Sequence, residues 1–258
     1  MSGKLCLITG ASSGIGKATV KVFVNYGAKV CATGRNKESL NELKKLYPIC
    51  VVDGDLTEKG VPKRIVDEAV KQLGGLTTLV NCAGAVRGGA FGTDACNLEN
   101  FEYNFNSNTK SVFEMMVHAI PHLKEAKGRN PSIVNVSSVN GLVSFATVPN
   151  YCASKAAVDM LTQCAAIDLA PMGIRVNAVN PGVVVTELQK RGGVGEEAYQ
   201  AFLKRSIEVT HPLAQSLGRL ATPEEVGELI AFLASDKAAF ISGDSVKIDG
   251  ARGVTGLR

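Results

Sequence analysis

Tyr151-Cys152-Ala153-Ser154-Lys155 sets a phenol and an ammonium four residues apart, which places both on one face of a helix, a turn from each other. A phenol with an ordinary pKa near 10 is a poor base at neutral pH unless a cation lowers that value, and Lys155 is the cation within reach. Such a pair suits proton transfer to or from an oxygen, as when a ketone is reduced or an alcohol oxidised. By itself the spacing is weak evidence, since chance supplies it about 0.3 times per chain and a solvated helix face would carry it without function. A second group speaks of binding. Thr9-Gly10-Ala11-Ser12-Ser13-Gly14-Ile15-Gly16 falls where a short apolar run gives way to a helical pattern. Glycine there lets backbone approach a pyrophosphate with no Cβ in the way, and the helix start offers unpaired N–H groups and partial positive charge. A tight turn alone would also use glycine; the position inside a strand–helix–strand unit favours dinucleotide binding.

These groups need a frame that collects them. Short runs rich in β-branched residues recur at residues 5–9, 29–33, 49–52, 76–81, 132–136, 174–179 and 245–248, separated by helical patterns at 14–26, 37–46, 61–73, 98–126 (read as two helices), 150–171 and 223–234. Thr222-Pro223-Glu224-Glu225 is a strong helix start, with a capping hydroxyl, proline in the first turn and acids beside it. Alternation from end to end predicts an α/β fold: a doubly wound (Rossmann) parallel seven-stranded sheet with helices on both faces, in a single domain over residues 1–258. The strand C-termini then gather the glycine loop, Asn81–Gly84, Ser138 and Pro181-Gly182 at one crevice. Residues 183–219 break the alternation as a long polar excursion holding Gly192, Gly193 and Gly195, which reads as a surface loop serving as a substrate lid.

The spacing T-G-x-x-x-G-x-G, followed by Y-x-x-x-K, resembles the short-chain dehydrogenase/reductase family in its single-domain branch of roughly 250 residues, and the likeness covers nearly the whole chain. The resemblance implies that Gly10, Ser12, Ser13, Gly14, Ile15 and Gly16 hold a dinucleotide. It further implies that Asp55-Leu56 meets the adenine, and that Asn81, Ala83 and Gly84 form the turn under the adenosine ribose, with Cys82 replacing the family's second asparagine. Asn180-Pro181-Gly182 with Val184 and Thr186 is similar to the segment that holds the nicotinamide carboxamide. Ser138, thirteen residues before Tyr151, matches the serine that hydrogen-bonds the substrate oxygen, with Ser137 the neighbouring alternative. Asn108 resembles the helix-borne asparagine that places a water near Lys155, with Asn106 the match if the register shifts by two. Tyr151 and Lys155 complete the catalytic set and also contact the cofactor. Asp249-Gly250-Ala251 departs from the family's D-G-G, a change expected to affect packing and not chemistry. By the same resemblance, helices bearing Asn108 and Tyr151 pair across two-fold axes in a homotetramer.

Cofactor choice is read at the end of the second strand. Cys31-Ala32-Thr33-Gly34-Arg35-Asn36 lacks the carboxylate that accepts from a ribose 2′-OH at NAD sites, and Arg35 is placed for charge-assisted contacts to a 2′-phosphate. NADP(H) is therefore the preferred cofactor, with NAD(H) the alternative. The implied function is hydride transfer between nicotinamide and a carbonyl or secondary alcohol, of carbonyl reductase, alcohol, hydroxysteroid or 3-oxoacyl type. A non-catalytic NAD(P)-sensing protein on the same fold is the rival, disfavoured because a sensor needs no proton donor. Val139, Asn140, Leu142, Phe145 and residues 188–202 are the candidate substrate contacts, a mainly apolar group.

Composition narrows the partners. A formal net charge of +4 with Lys and Arg spread along the chain does not suggest nucleic acid, and the opening apolar run is too short for a membrane span or signal peptide. Seven cysteines without a C-x-x-C pair, and only three histidines, read as reduced thiols in a cytoplasmic protein without a zinc cluster.

Overall fold

The computed structural model describes residues 1–126 and 128–255. Seven parallel strands form one sheet: β1 (Leu5–Ile8), β2 (Lys29–Gly34), β3 (Cys50–Asp53), β4 (Thr78–Asn81), β5 (Ser132–Val136), β6 (Arg175–Pro181) and β7 (Ser245–Ile248). Their order is β3-β2-β1-β4-β5-β6-β7. Every residue of β1, β4, β5 and β6 is buried, as expected of strands covered on both faces.

Alternation along β1 divides the core. Cys6 and Ile8 point to a layer that contains Val20 and Phe23 of α1 (Gly14–Asn25), Leu40 and Leu43 of α2 (Lys37–Leu46), and residues of a C-terminal helix over Pro223–Ala234. Leu7 points the other way, to Ile65 and Val66 of α3 (Val61–Leu73) and to two further helices. The first of those is a composite: α4 (Leu98–Phe105) and α5 (Ser111–Glu125) are joined by a π-helical turn over Asn106–Lys110, in which Ser111 N–H reaches back to Asn106 O. The predicted pair of helices is thus one continuous rod with a change of winding. After β5 come a single turn, α6 (Val139–Leu142), and the long helix α7 (Pro149–Leu169).

Residues 183–219 differ from the predicted loop. They hold α8 (Leu188–Arg191), α9 (Glu196–Arg205), a π turn over Ser206–Thr210 and α10 (Pro212–Leu217), before α11 (Pro223–Ala234). The helix signals of α9 are electrostatic: Glu196 and Glu197 open it and Lys204 and Arg205 close it, each favourable to the helix dipole. The flanking glycines outweighed them in the sequence pattern. At α11 the predicted start is realised as a capping box, Thr222 Oγ1 accepting from Glu225 N at 3.3 Å while Glu225 Oε2 accepts from Thr222 N at 2.7 Å. Among the described residues no helix is long and apolar enough to cross a membrane.

Candidate active site

A cleft of about 790 Å³ opens beyond the C-terminal ends of the strands, where a doubly wound sheet places its ligands. Its first wall is backbone. Gly10 (φ +65°) and Gly14 (φ +50°) occupy the left-handed region, and a Cβ on Gly10 would lie 2.9 Å from Ala83 Cα. Gly16 faces the Gly10 carbonyl so closely that a side chain there would overlap it. Thr9 Oγ1 accepts from the N–H of Cys82 at 2.9 Å and of Ala83 at 3.0 Å, tying the glycine loop to the turn after β4. Ser13 begins α1 without capping it, so the first-turn N–H groups remain for an anion. This cradle fits a pyrophosphate: a Cβ is absent where one would obstruct, and donors point at the space.

Of the predicted cofactor residues, the glycine loop, Arg35, Asp55, Leu56, Ala83, Gly84, Tyr151, Lys155, Pro181, Gly182, Val184 and Thr186 all line the cleft. Asn81 does not. It is buried at the end of β4 and its Nδ2 donates to Asn135 Oδ1 at 2.9 Å, so the turn reaches the cleft through Cys82, Ala83 and Gly84. Burial pushes the Cys82 thiol up to about 12, with Lys155 pulling the other way, so the residue that departs from the family pattern stays neutral. At the mouth, Arg35 Nη1 lies 3.6 Å from Asp55 Oδ2, an exposed pair. The Asp55 carboxylate also accepts from Thr57 N at 2.9 Å and Thr57 Oγ1 at 2.8 Å. Burial works against ionisation of Asp55, but these bonds and Arg35 together hold it below the usual range.

The second wall carries the titratable groups. Tyr151 and Ser138 are both buried and line the same cleft, and the Ser138 hydroxyl favours the phenolate. Ser138 stands just past β5 as the cap of α6, its Oγ accepting from Asn140 N at 3.1 Å; Ser137 instead donates to the Lys155 carbonyl at 3.1 Å. The Ser137 hydroxyl is thus engaged by the backbone of α7. Asn108, buried in the π turn, accepts from Ala85 N at 2.8 Å and donates to Ala85 O and to Ser154 Oγ at 2.9 and 3.0 Å, whereas Asn106 is exposed. It sits behind the cleft wall and not on it; a Cβ added to Gly84 would be 3.1 Å from Asn108 Oδ1 and 3.4 Å from Lys155 Nζ.

The charge balance differs from the one read in the sequence. Burial dominates both groups, pushing Tyr151 up to about 12 and Lys155 down to about 8. Lys155 Nζ donates to Val136 O at 2.9 Å and lies 5.8 Å from the centre of the Tyr151 ring. Asp159 favours the ammonium.

Three contributors escaped the motif reading. Asp159 continues the Tyr151/Lys155 face one turn further, a spacing that could have flagged it. It accepts from Asn180 Nδ2 at 3.0 Å, and Asn180 in turn donates to the Ser138 carbonyl at 2.9 Å. His211 is buried, its Nε2 accepting from Val183 N at 3.0 Å, and burial holds it below its ordinary value, consistent with a neutral acceptor. Arg191, on α8, donates to Ser13 Oγ at 2.9 Å and so links the 183–219 segment to the glycine loop. No sequence motif marks either of the last two. Among the described residues no cluster of metal-ligand type occurs.

A family model described as enoyl-(acyl carrier protein) reductase matches residues 10–255. The chain belongs to the short-chain dehydrogenase/reductase family of oxidoreductases. It is 38% identical over 262 residues to the 3-oxoacyl-[acyl-carrier-protein] reductase FabG of Thermotoga maritima, covering 97% of this chain and 98% of that one. Dehydrogenase/reductase SDR family member 6 of Rattus norvegicus is 37% identical, with 97% of both chains covered. A short-chain dehydrogenase/reductase of unknown function from Caenorhabditis elegans, solved with cofactor, superimposes with a TM-score of 0.89 at 34% identity, covering 99% of this chain and 97% of that one. The seven-stranded parallel sheet and its helices are thus those of the family.

Proposed function

We propose that this short-chain dehydrogenase/reductase is an NADP(H)-dependent enzyme that interconverts a carbonyl compound and its secondary alcohol. The observation that carries the reading is the pairing of the Ser138 and Tyr151 hydroxyls beside the glycine cradle, in one cleft. When bound, the nicotinamide supplies or accepts the hydride. In reduction, Ser138 holds the substrate oxygen and Tyr151, protonated because burial raises its pKa, gives its proton to the oxygen as negative charge develops there. The phenolate left behind is offset by Lys155, which remains mostly ammonium at neutral pH with a pKa of about 8. Asn108 fixes the Ala85 backbone and Ser154 and thereby positions the Lys155 side of α7.

NADP(H) over NAD(H) is supported by Arg35, 60% exposed at the mouth with only a 3.6 Å partner and no carboxylate at Gly34 to meet a 2′-OH. The domain spans residues 1–258, with 183–219 as its substrate lid. Free thiols at every described cysteine fit a cytoplasmic protein. Assembly as a homotetramer is supported by Phe113 and Val117 on α5 and Met160 and Ile167 on α7, all exposed on helices that cover the same sheet face. The sensor alternative gains no observation.

The test is NADPH and NADH consumption against a panel of ketones, aldehydes and oxo acids, with wild type and Tyr151→Phe. Wild type should turn over with NADPH preferred. Tyr151→Phe should bind NADPH as before, read by its fluorescence, and lose about 10²- to 10⁴-fold in kcat. Near-normal turnover in Tyr151→Phe would overturn the proposed chemistry.

A further inference from the structure

The last turn of the chain brings a cation to the Tyr151 side of the cleft. After β7 the backbone doubles back through Asp249-Gly250-Ala251, and Ala251 holds φ +70°, a left-handed conformation that side chains avoid, at the position where the family pattern has glycine. Asp249 clamps this turn, accepting from Ala251 N at 3.0 Å through Oδ1 and from Gly253 N at 2.6 Å through Oδ2. A Cβ on Gly253 would lie 2.7 Å from Asp249 Oδ2, so glycine is needed for the clamp to close. What the strained turn delivers is Arg252, whose side chain lines the cleft with Asn140, Phe145, Tyr151 and Phe202.

Arg252 is half-buried, its guanidinium 4.7 Å from the centre of the Phe145 ring, and it forms no ion pair among the described residues. The acid nearest in sequence, Asp249, spends both carboxylate oxygens on backbone N–H groups. Burial first, and then the positive field of Arg205 on α9, work against the charge on Arg252, while Asp249 favours it. Guanidinium cannot shed its proton at physiological pH, so a partly desolvated, unpaired charge persists in the cleft that holds the Ser138 and Tyr151 hydroxyls. The phosphate-binding elements do not account for it: Arg191 is joined to the glycine loop through Ser13 and Arg35 pairs with Asp55, whereas Arg252 stands with Phe145 and Cys152.

We propose that Arg252 is the anchor for a substrate carboxylate, so that the substrate is an oxo acid or its hydroxy acid, with the reacting oxygen at Ser138 and Tyr151 and the carboxylate on the guanidinium. A planar fork of N–H donors matches a carboxylate in two parallel bonds, and Phe145 supports the fork from one side. This rests on the oxidoreductase reading above.

The experiment compares oxo acids with their methyl esters as substrates of wild type, Arg252→Gln and Arg252→Lys, and separately measures binding of malonate and of inorganic phosphate to the NADPH-loaded proteins by NADPH fluorescence. Wild type should favour the acids, the acid-to-ester ratio of kcat/KM should fall about 10- to 100-fold in Arg252→Gln, and Arg252→Lys should recover part of it. Malonate should bind wild type and not Arg252→Gln. Esters used as well as acids, or a ratio unmoved by Arg252→Gln, would overturn the anchor and leave the oxidoreductase reading standing. Phosphate bound more tightly than malonate would overturn the carboxylate assignment. If no carbonyl turns over with any protein, the oxidoreductase reading fails, and the malonate measurement alone then decides whether Arg252 holds a carboxylate.

Discussion

The two walls of the cleft are built from different materials. On the glycine side the contacts are mostly backbone against backbone, with Thr9 Oγ1 the side-chain tie: Ala11 N donates to Thr33 O at 2.9 Å, Gly10 rests on Ala83, and Gly16 rests on Gly10. On the substrate side the joints depend on particular side chains: Tyr199 Oη donates to Thr186 O at 3.0 Å, His211 Nε2 accepts from Val183 N, and Arg252 stands over Phe145. Even strain is divided this way. In the glycine loop positive φ falls only on glycines, Gly10 and Gly14, whereas at the other end it falls on Thr147 and Ala251 as well as on Gly193 and Gly250. A wall defined by missing side chains recognises what all dinucleotides share and tolerates no addition, whereas a wall of individual side chains can be rewritten one residue at a time.

The sharpest way to break this contrast is Gly16→Ala. The added methyl has only the Gly10 backbone to displace, so NADPH binding should weaken by about 100-fold or more while the protein remains folded by circular dichroism. Binding within a few-fold of wild type would show that the loop yields and that the rigid-wall description is mistaken. A smaller effect is expected at Arg35, a charged side chain by which the glycine side could discriminate. Arg35→Ala should reduce the NADPH-to-NADH ratio of kcat/KM about 10- to 100-fold, and added salt should erode the wild-type preference. A ratio that does not move would place cofactor choice elsewhere. The smallest change belongs to Arg191, the link between the walls. Its single exposed bond to Ser13 is worth about 0.5–1.5 kcal/mol, so Arg191→Ala should raise the NADPH Kd two- to tenfold with kcat little changed. A large loss of kcat instead would mean that the 183–219 segment orders the catalytic groups as well as the cofactor.

The same division explains what the sequence revealed. Strand positions and the glycine cradle follow from local rules, periodicity and the absence of Cβ, so the elements from β1 to β7 emerge within a few residues of where they stand. Tyr151 and Lys155 were legible through helical spacing. At Asn81 the motif marks a turn and not the direction of a side chain, and in the structure that side chain finds Asn135 in the neighbouring strand. The helices of 183–219 were hidden by Gly192, Gly193 and Gly195, although the end charges of α9 were visible. The pKa values of Tyr151 and Lys155 depend on burial, which spacing does not report. Arg252 and His211 act through partners distant in the chain, so no local pattern could single them out.

The π turn at Asn106–Lys110 bears on how the site could change by insertion or deletion. A wide turn holds one residue more than the α helix around it, so the angular phase of everything before it is offset by about 100° from everything after it. α5 spends its phase on the sheet, burying Val112, Met115, Met116, Ala119 and Leu123, while Asn104 and Asn108 spend theirs on the backbone of Arg87 and Ala85. Unbroken α winding over the same number of residues would swing one of those two sets out of line by that angle, and so would a further inserted residue. The rod thus acts as a mechanical coupling with a fixed angular setting, and length changes at that point alter the alignment of the site even when every catalytic residue is kept.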